Sequence, residues 1–86
     1  MSREGEEKNA INIVVNSTHG SVKLEVLRTA RVQEVIESST YRLGLENPEE
    51  YELTYSRETM KEERTLISYQ VKDGDHLYLL RIPVGG

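Results

Sequence analysis

Two short runs of period two, with four turn-forming residues between them, constrain this chain more than anything else in it. Ile11, Ile13 and Val15 lie two apart in Ile-Asn-Ile-Val-Val-Asn. Val22, Leu24 and Val26 are spaced in the same way, with Lys23 and Glu25 on the opposite parity. A period of two places each apolar set on one face of an extended strand. Ser17, Thr18, His19 and Gly20 between the runs are turn formers, so the pair reads as a β-hairpin with a loop a few residues long. A hairpin alone cannot bury both of its apolar faces, and the rest of the chain must supply a cover.

The next segment supplies it. Val32, Val35, Ile36, Ser39 and Leu43 recur at helical spacing, with Thr29 as the expected N-cap, Gly44 as the stop, and Asn47-Pro48 as a turn beyond it. Tyr51, Leu53 and Tyr55 return to period two, with Glu52 and Thr54 on the other side. Residues 56–64 are polar with Met60 as the one anchor, predicting a tight turn and a very short strand. Leu66, Ile67, Tyr69 and Val71 predict a single helical turn or packed loop. Residues 72–75 read as a turn before a last strand, with Leu77, Leu79 and Ile82 expected on its inner face. The order β, β, α, β, short β, β predicts a two-layer α+β fold: a mixed sheet of four to five strands with one helix packed across it. The first and last strands are expected side by side and parallel. Residues 1–9 carry Arg3, Glu4, Glu6, Glu7 and Lys8 with nothing to bury and are expected to form a flexible polar tail. Residues 10–82 form the expected domain, and 83–86 an extended C-terminal tail.

Composition narrows the function. With 86 residues there is room for one small domain and not for a two-domain enzyme. There is no Cys, hence no disulfide framework, no thiolate zinc site and no thiol nucleophile; the cytoplasm is the expected location. No apolar run approaches the roughly 18 residues that span a bilayer. A formal charge of −4 argues against a nucleic-acid binder, which needs a concentrated basic face. His19 and His76 lack metal-ligand spacing. The carboxylate pairs Glu49-Glu50, Glu62-Glu63 and Asp73/Asp75 fall in expected turns and loops, where solubilising charge explains them better than acid-base chemistry. No Ser sits in a nucleophile-elbow context, and the glycines are too scattered for a phosphate loop. No catalytic residue, no metal and no cofactor of its own are expected, and the chain is not expected to be an enzyme.

What composition leaves unexplained is the end, Gly85-Gly86, which arises by chance in roughly 0.5% of chains. Without side chains these two residues can thread a channel too narrow for others and bring a terminal carboxylate to a nucleotide or a thiol. The carboxylate becomes an electrophile only once activated, and another enzyme must do that. A frayed end remains the plainer reading.

These residues resemble the ubiquitin family. Leu24-Glu25-Val26 is similar to its second strand, and Arg64-Thr65-Leu66, Tyr69, Val71, Leu77, Leu79, Gly85 and Gly86 keep its spacing to the end. The combination of Asn47-Pro48-Glu49-Glu50-Tyr51-Glu52-Leu53, Asp73-Gly74-Asp75-His76-Leu77-Tyr78-Leu79 and Val84-Gly85-Gly86 looks closer still to bacterial ubiquitin-like modifiers. Those are encoded beside their own activating enzyme, conjugating enzyme and JAB-type metallopeptidase. The resemblance implies a β-grasp fold, a monomer, and a protein tag joined to target proteins through Gly86, with Gly85 preceding it. ATP would be consumed by the activating enzyme, and an antiphage defence role would follow from the same resemblance. The family's hydrophobic recognition patch maps onto Thr18, Thr54, Tyr78 and Leu80. Of these, Tyr78 and Leu80 keep most apolar area; with Thr54 and Arg81 they form the expected partner surface, an ordinary exposed strand pair being the alternative. The family's Leu-Arg-Leu-Arg-Gly-Gly tail is replaced by Leu80-Arg81-Ile82-Pro83-Val84-Gly85-Gly86, which keeps one arginine, shifted by one position. Two other functions stay open: a sulfur carrier ending in a thiocarboxylate, and a noncovalent ubiquitin-like adaptor.

Overall fold

A computed structural model of the chain describes residues 9–83. The expected tail at 1–9 lies outside them except for Asn9, and so does the Val84-Gly85-Gly86 end. Five strands, β1 (Ala10–Ser17), β2 (Gly20–Leu27), β3 (Tyr51–Tyr55), β4 (Glu58–Thr59) and β5 (His76–Arg81), form one sheet in the order β2-β1-β5-β3-β4. The helix α1 (Val32–Leu43) packs across one face. This is the β-grasp arrangement, with β1 and β5 parallel at its centre and every other strand pair antiparallel.

The hairpin follows from its own residues. All eight residues of β1 pair with all eight of β2, down to Ser17 opposite Gly20, leaving Thr18 and His19 as a two-residue loop. Gly20 takes φ +123°, a conformation that side chains disfavour. The Ser17 hydroxyl donates to the Gly20 carbonyl at 2.9 Å and accepts from the His19 amide at 2.9 Å, so the turn closes its own polar groups.

The helix begins later than expected. Thr29 is in a turn upstream, and the N-cap is Arg31, whose side chain makes no capping bond. The first-turn amides are satisfied from elsewhere: Val32 N donates to Arg64 O at 2.9 Å, and Gln33 N to Glu62 O at 3.1 Å. A neighbouring loop therefore does the work that a capping hydroxyl does in an isolated helix. The other end matches its reading. Gly44 adopts a left-handed φ of 74°, its amide returns to Thr40 and Tyr41, and Leu45 N bonds Thr40 O at 2.8 Å.

Inner-facing residues of the sheet, Ile11, Ile13, Val15, Leu24, Leu53, Leu77 and Leu79, meet Val32, Val35 and Ile36 of α1 in a single core. Ser39 and Thr40 share that buried face because their hydroxyls bond back to the carbonyls of Val35 and Ile36. Met60, Leu66 and Val71 close the side of the core from the irregular segment. The expected single helical turn is a 3-10 turn at Ile67–Tyr69, and it leaves Ile67 exposed. Tyr55 is only half-buried, since its hydroxyl reaches out to Asp75. Ile82 lies beyond β5 and is exposed; the parity that buries Leu77 and Leu79 falls next on Arg81.

Leu77 has no exposed surface and sits on the strand between β1 and β3. Leu77→Ala leaves a cavity at that junction and is expected to cost about 2–5 kcal/mol, read as a lower urea midpoint with an unchanged slope.

Candidate recognition surface and C-terminal segment

β5 divides its residues by parity. Leu77 and Leu79 enter the core, while Tyr78 and Leu80 stand on the opposite sheet face with half and 44% of their surface exposed. Register decides their neighbours. Tyr78 lies opposite Thr54 on β3 and beside Asn16 on β1, and Leu80 lies opposite Glu52. The apolar pair is thus bordered by short polar side chains and one carboxylate. Asn16 is held in place: its amide NH2 reaches His76 Nδ1 at 3.2 Å and Leu77 O at 3.4 Å, and its oxygen accepts from the Ser21 hydroxyl at 2.8 Å. An apolar centre with a fixed polar rim suits a protein partner. Covering about 100 Å2 of it would contribute about 2.5 kcal/mol.

Thr54, Tyr78 and Leu80 are therefore brought together, and Arg81 is not among them. Arg81 lies opposite Tyr51 on the other parity, and its guanidinium pairs with Glu50 at 2.8 Å. Thr18 is exposed at the tip of the β1-β2 loop. Gly85 and Gly86 lie outside the described residues. Asn16, Glu52 and Glu50 complete these surroundings and were not singled out from sequence. Glu52 was within reach of that reading, since it shares a parity with Thr54 on β3; Asn16 needed the parallel register.

The loop leading into β5 is held by carboxylates rather than free. Asn12 N donates to Asp73 Oδ1 at 2.7 Å, and Gly74 N donates to Asn12 O at 2.6 Å. Asp75 Oδ2 accepts from Lys72 N at 2.8 Å and from the Tyr55 hydroxyl at 2.5 Å. The Tyr55 hydrogen bond, then the Lys72 amide, hold the Asp75 carboxyl below its ordinary value. The same bond, helped by partial burial and the nearby negative charge, raises the Tyr55 phenol. The pair ties β3 to the turn that precedes β5. Among the described residues no three His, Asp or Glu side chains converge as a metal site. No helix among them is long and apolar enough to cross a membrane.

This geometry is shared. A family model described as "Ubiquitin-2 like Rad60 SUMO-like" matches residues 11–80. The chain belongs to this ubiquitin-like family. Among solved structures, Caldiarchaeum subterraneum ubiquitin is 31% identical, with a TM-score of 0.76 over 90% of this chain and 99% of that one. The UBL domain of Plasmodium falciparum Dsk2 matches the fold at 19% identity and TM-score 0.77, over 84% of this chain and 97% of that one. A chain from work described as "Molecular Mimicry of SUMO promotes DNA repair" matches at 15% identity and TM-score 0.77, over 84% and 91%. A search of curated proteins returned no match. The ubiquitin-like core accounts for the inner face of the sheet.

The Tyr55–Asp75 bond sets a pH dependence with a definite sign. Because the folded Asp75 pKa is depressed, its contribution is fully present above the ordinary value of about 3.9 and is lost as pH falls through the lower folded value. Because the folded Tyr55 pKa is raised, its contribution is present below about 10 and is lost as pH rises through the higher folded value. Tyr55→Phe is expected to move the Asp75 carboxyl titration upward in carbon-detected NMR. It should also flatten both the acid and the alkaline loss of urea stability.

Proposed function

We propose that this ubiquitin-like chain is a protein modifier that acts through the carboxylate of Gly86, free as it stands or freed by cleavage after Gly86. In the first step a carboxylate oxygen attacks the α-phosphate of ATP in an activating enzyme, pyrophosphate leaves, and an acyl-adenylate forms. A cysteine thiolate then displaces AMP to give a thioester, which passes to a conjugating enzyme. Finally a target amine displaces the thiol and forms an amide. A JAB-type metallopeptidase would return the carboxylate by hydrolysis. The chain contributes no catalytic side chain to these steps; it is the group transferred.

The observation carrying this reading is the 31% identity to an archaeal ubiquitin over 90% of this chain, combined with a Gly85-Gly86 end five residues beyond Arg81. Five residues span at most about 17 Å when extended, enough to carry a carboxylate off the globular body into an enzyme channel. The finer resemblance to bacterial modifiers rests on residues 47–53, 73–79 and 84–86 and names the partner enzymes. A cytoplasmic, antiphage role follows from that likeness.

Deletion of Gly86 is expected to abolish high-mass conjugates when the activating and conjugating enzymes are co-expressed; unchanged conjugates would overturn the proposal. Intact mass of the wild type separates the alternatives. Isopeptide adducts support the modifier, an exchange of one oxygen for sulfur marks a carrier, and an unmodified chain with full activity after C-terminal extension marks an adaptor.

For the partner surface, Leu80→Glu should cost no more than about 1 kcal/mol of stability, since the side chain is largely exposed and the new charge faces Glu52 across the strand pair. It should weaken partner capture in titration calorimetry by placing a second carboxylate beside Glu52.

A further inference from the structure

β5 ends at Arg81 and the C-terminal segment starts at Ile82. Both residues are tied to Glu50. Ile82 N donates to the Glu50 carbonyl at 2.8 Å, and the Arg81 guanidinium donates to the Glu50 carboxylate at 2.8 Å. The second contact is the one salt bridge among the described residues. Glu50 closes the 3-10 turn Pro48–Glu50, whose first residue has a ring-fixed φ and whose last amide bonds Asn47 O at 2.9 Å. The anchor is therefore mounted on a stiff turn.

Two contacts from one anchor to consecutive residues define a direction, where a single hydrogen bond would leave a hinge. Pro83 restricts its own φ and disfavours helical backbone at Ile82, which stiffens the exit further. Glu49, Glu50, Arg81, Ile82 and Pro83 together line a notch of about 240 Å3 at this point. Direction matters because the arm is long. From Ile82 to Gly86 is at most about 14 Å, so a swing of about 30° at the root moves the terminus by about 7 Å. Acyl transfer demands alignment far tighter than that.

Resting on the modifier reading, the geometry points to Glu50 as a positioning residue for transfer of Gly86: by holding Arg81 and Ile82 it sets the direction in which the C-terminal segment leaves the sheet. Glu50 touches no reacting atom and acts through these two residues. Arg81 thereby has a role distinct from the Tyr78 and Leu80 face.

The test compares wild type, Glu50→Arg, Arg81→Glu and the paired exchange by two measurements. One is the heteronuclear NOE of the Ile82 amide. The other is pyrophosphate exchange with the activating enzyme. Both side chains are exposed, and equal melting temperatures across the set would show that folding is intact. Each single variant is expected to lower the Ile82 NOE and to raise KM for this protein by about two- to fivefold with kcat unchanged, since the carboxylate chemistry is untouched. The paired exchange should recover both readouts. Wild-type NOE values in the single variants, a wild-type KM despite a lowered NOE, or a paired exchange no better than the singles would each overturn the assignment. Wild-type exchange that deletion of Gly86 abolishes keeps the modifier reading standing whichever way Glu50 comes out, so the two failures are separately visible.

Discussion

The parallel pairing of β1 with β5 is the contact on which the rest of the molecule depends. Val14, Val15 and Asn16 align with His76, Leu77 and Tyr78, joining segments about sixty residues apart. Without that pairing the sheet falls into two pieces, the β1-β2 hairpin and the β5-β3-β4 ribbon. Once formed, β5 sits in the middle of the sheet, and its parity is imposed from both sides. A slip of one residue would drive Tyr78 and Leu80 into the core and expel Leu77 and Leu79. The loop bonds of Asn12 to Asp73 and Gly74, and of Val14 N to Asp75 O at 3.0 Å, fix the register just before β5 begins. The same constraint that builds the core therefore presents the outer face and fixes where β5 ends.

That division explains what could be read from residues and what could not. β1, β2, α1, β3 and β5 each bury one face along a regular period, and period is a local property of sequence. Features that arise where distant segments meet left no such trace. Thr29 resembled an N-cap because hydroxyl residues commonly satisfy first-turn amides. Here the carbonyls of Glu62 and Arg64 do so, and nothing near Thr29 signals it. Ile82 reads as a core residue by hydrophobicity, yet the strand ends one residue earlier and the parity is wrong. Thr40 joins Ser39 on the buried face because its hydroxyl bonds internally to Ile36 O, a contact that the apolar period does not signal.

The recognition surface shows the same limit at finer grain. Tyr78 and Leu80 share one parity of β5 and Thr54 lies on the outer parity of β3, but it is the family resemblance that groups the three. Arg81, expected with them, belongs to the other parity of β5, and period alone separates it from Leu80. Its partner Glu50 lies 31 positions away and ends a 3-10 turn, a context in which a carboxylate reads as ordinary solubilising charge. Tyr55 and Asp75 are a second instance: an aromatic on the alternating face of β3 and an acid in a turn meet although they lie 20 positions apart.

Similarity of fold at low identity has a physical basis in this arrangement. Cores accept apolar exchanges of about the right volume, so the inner parity of a small sheet can be kept by many sequences. Structures 15% and 19% identical superpose on this chain as well as one at 31%. The outer parity is under no such packing demand, because Tyr78, Leu80, Thr54 and Glu52 need only tolerate water. Partner choice can therefore change on that face while Leu77 and Leu79 hold the strand in place. The exit of the C-terminal segment belongs to neither set. It depends on Glu50 gripping the strand end through one main-chain bond and one ion pair. The main-chain bond is available to any residue at that position, whereas the ion pair requires both side chains and is the part of the anchor that sequence change can add or remove.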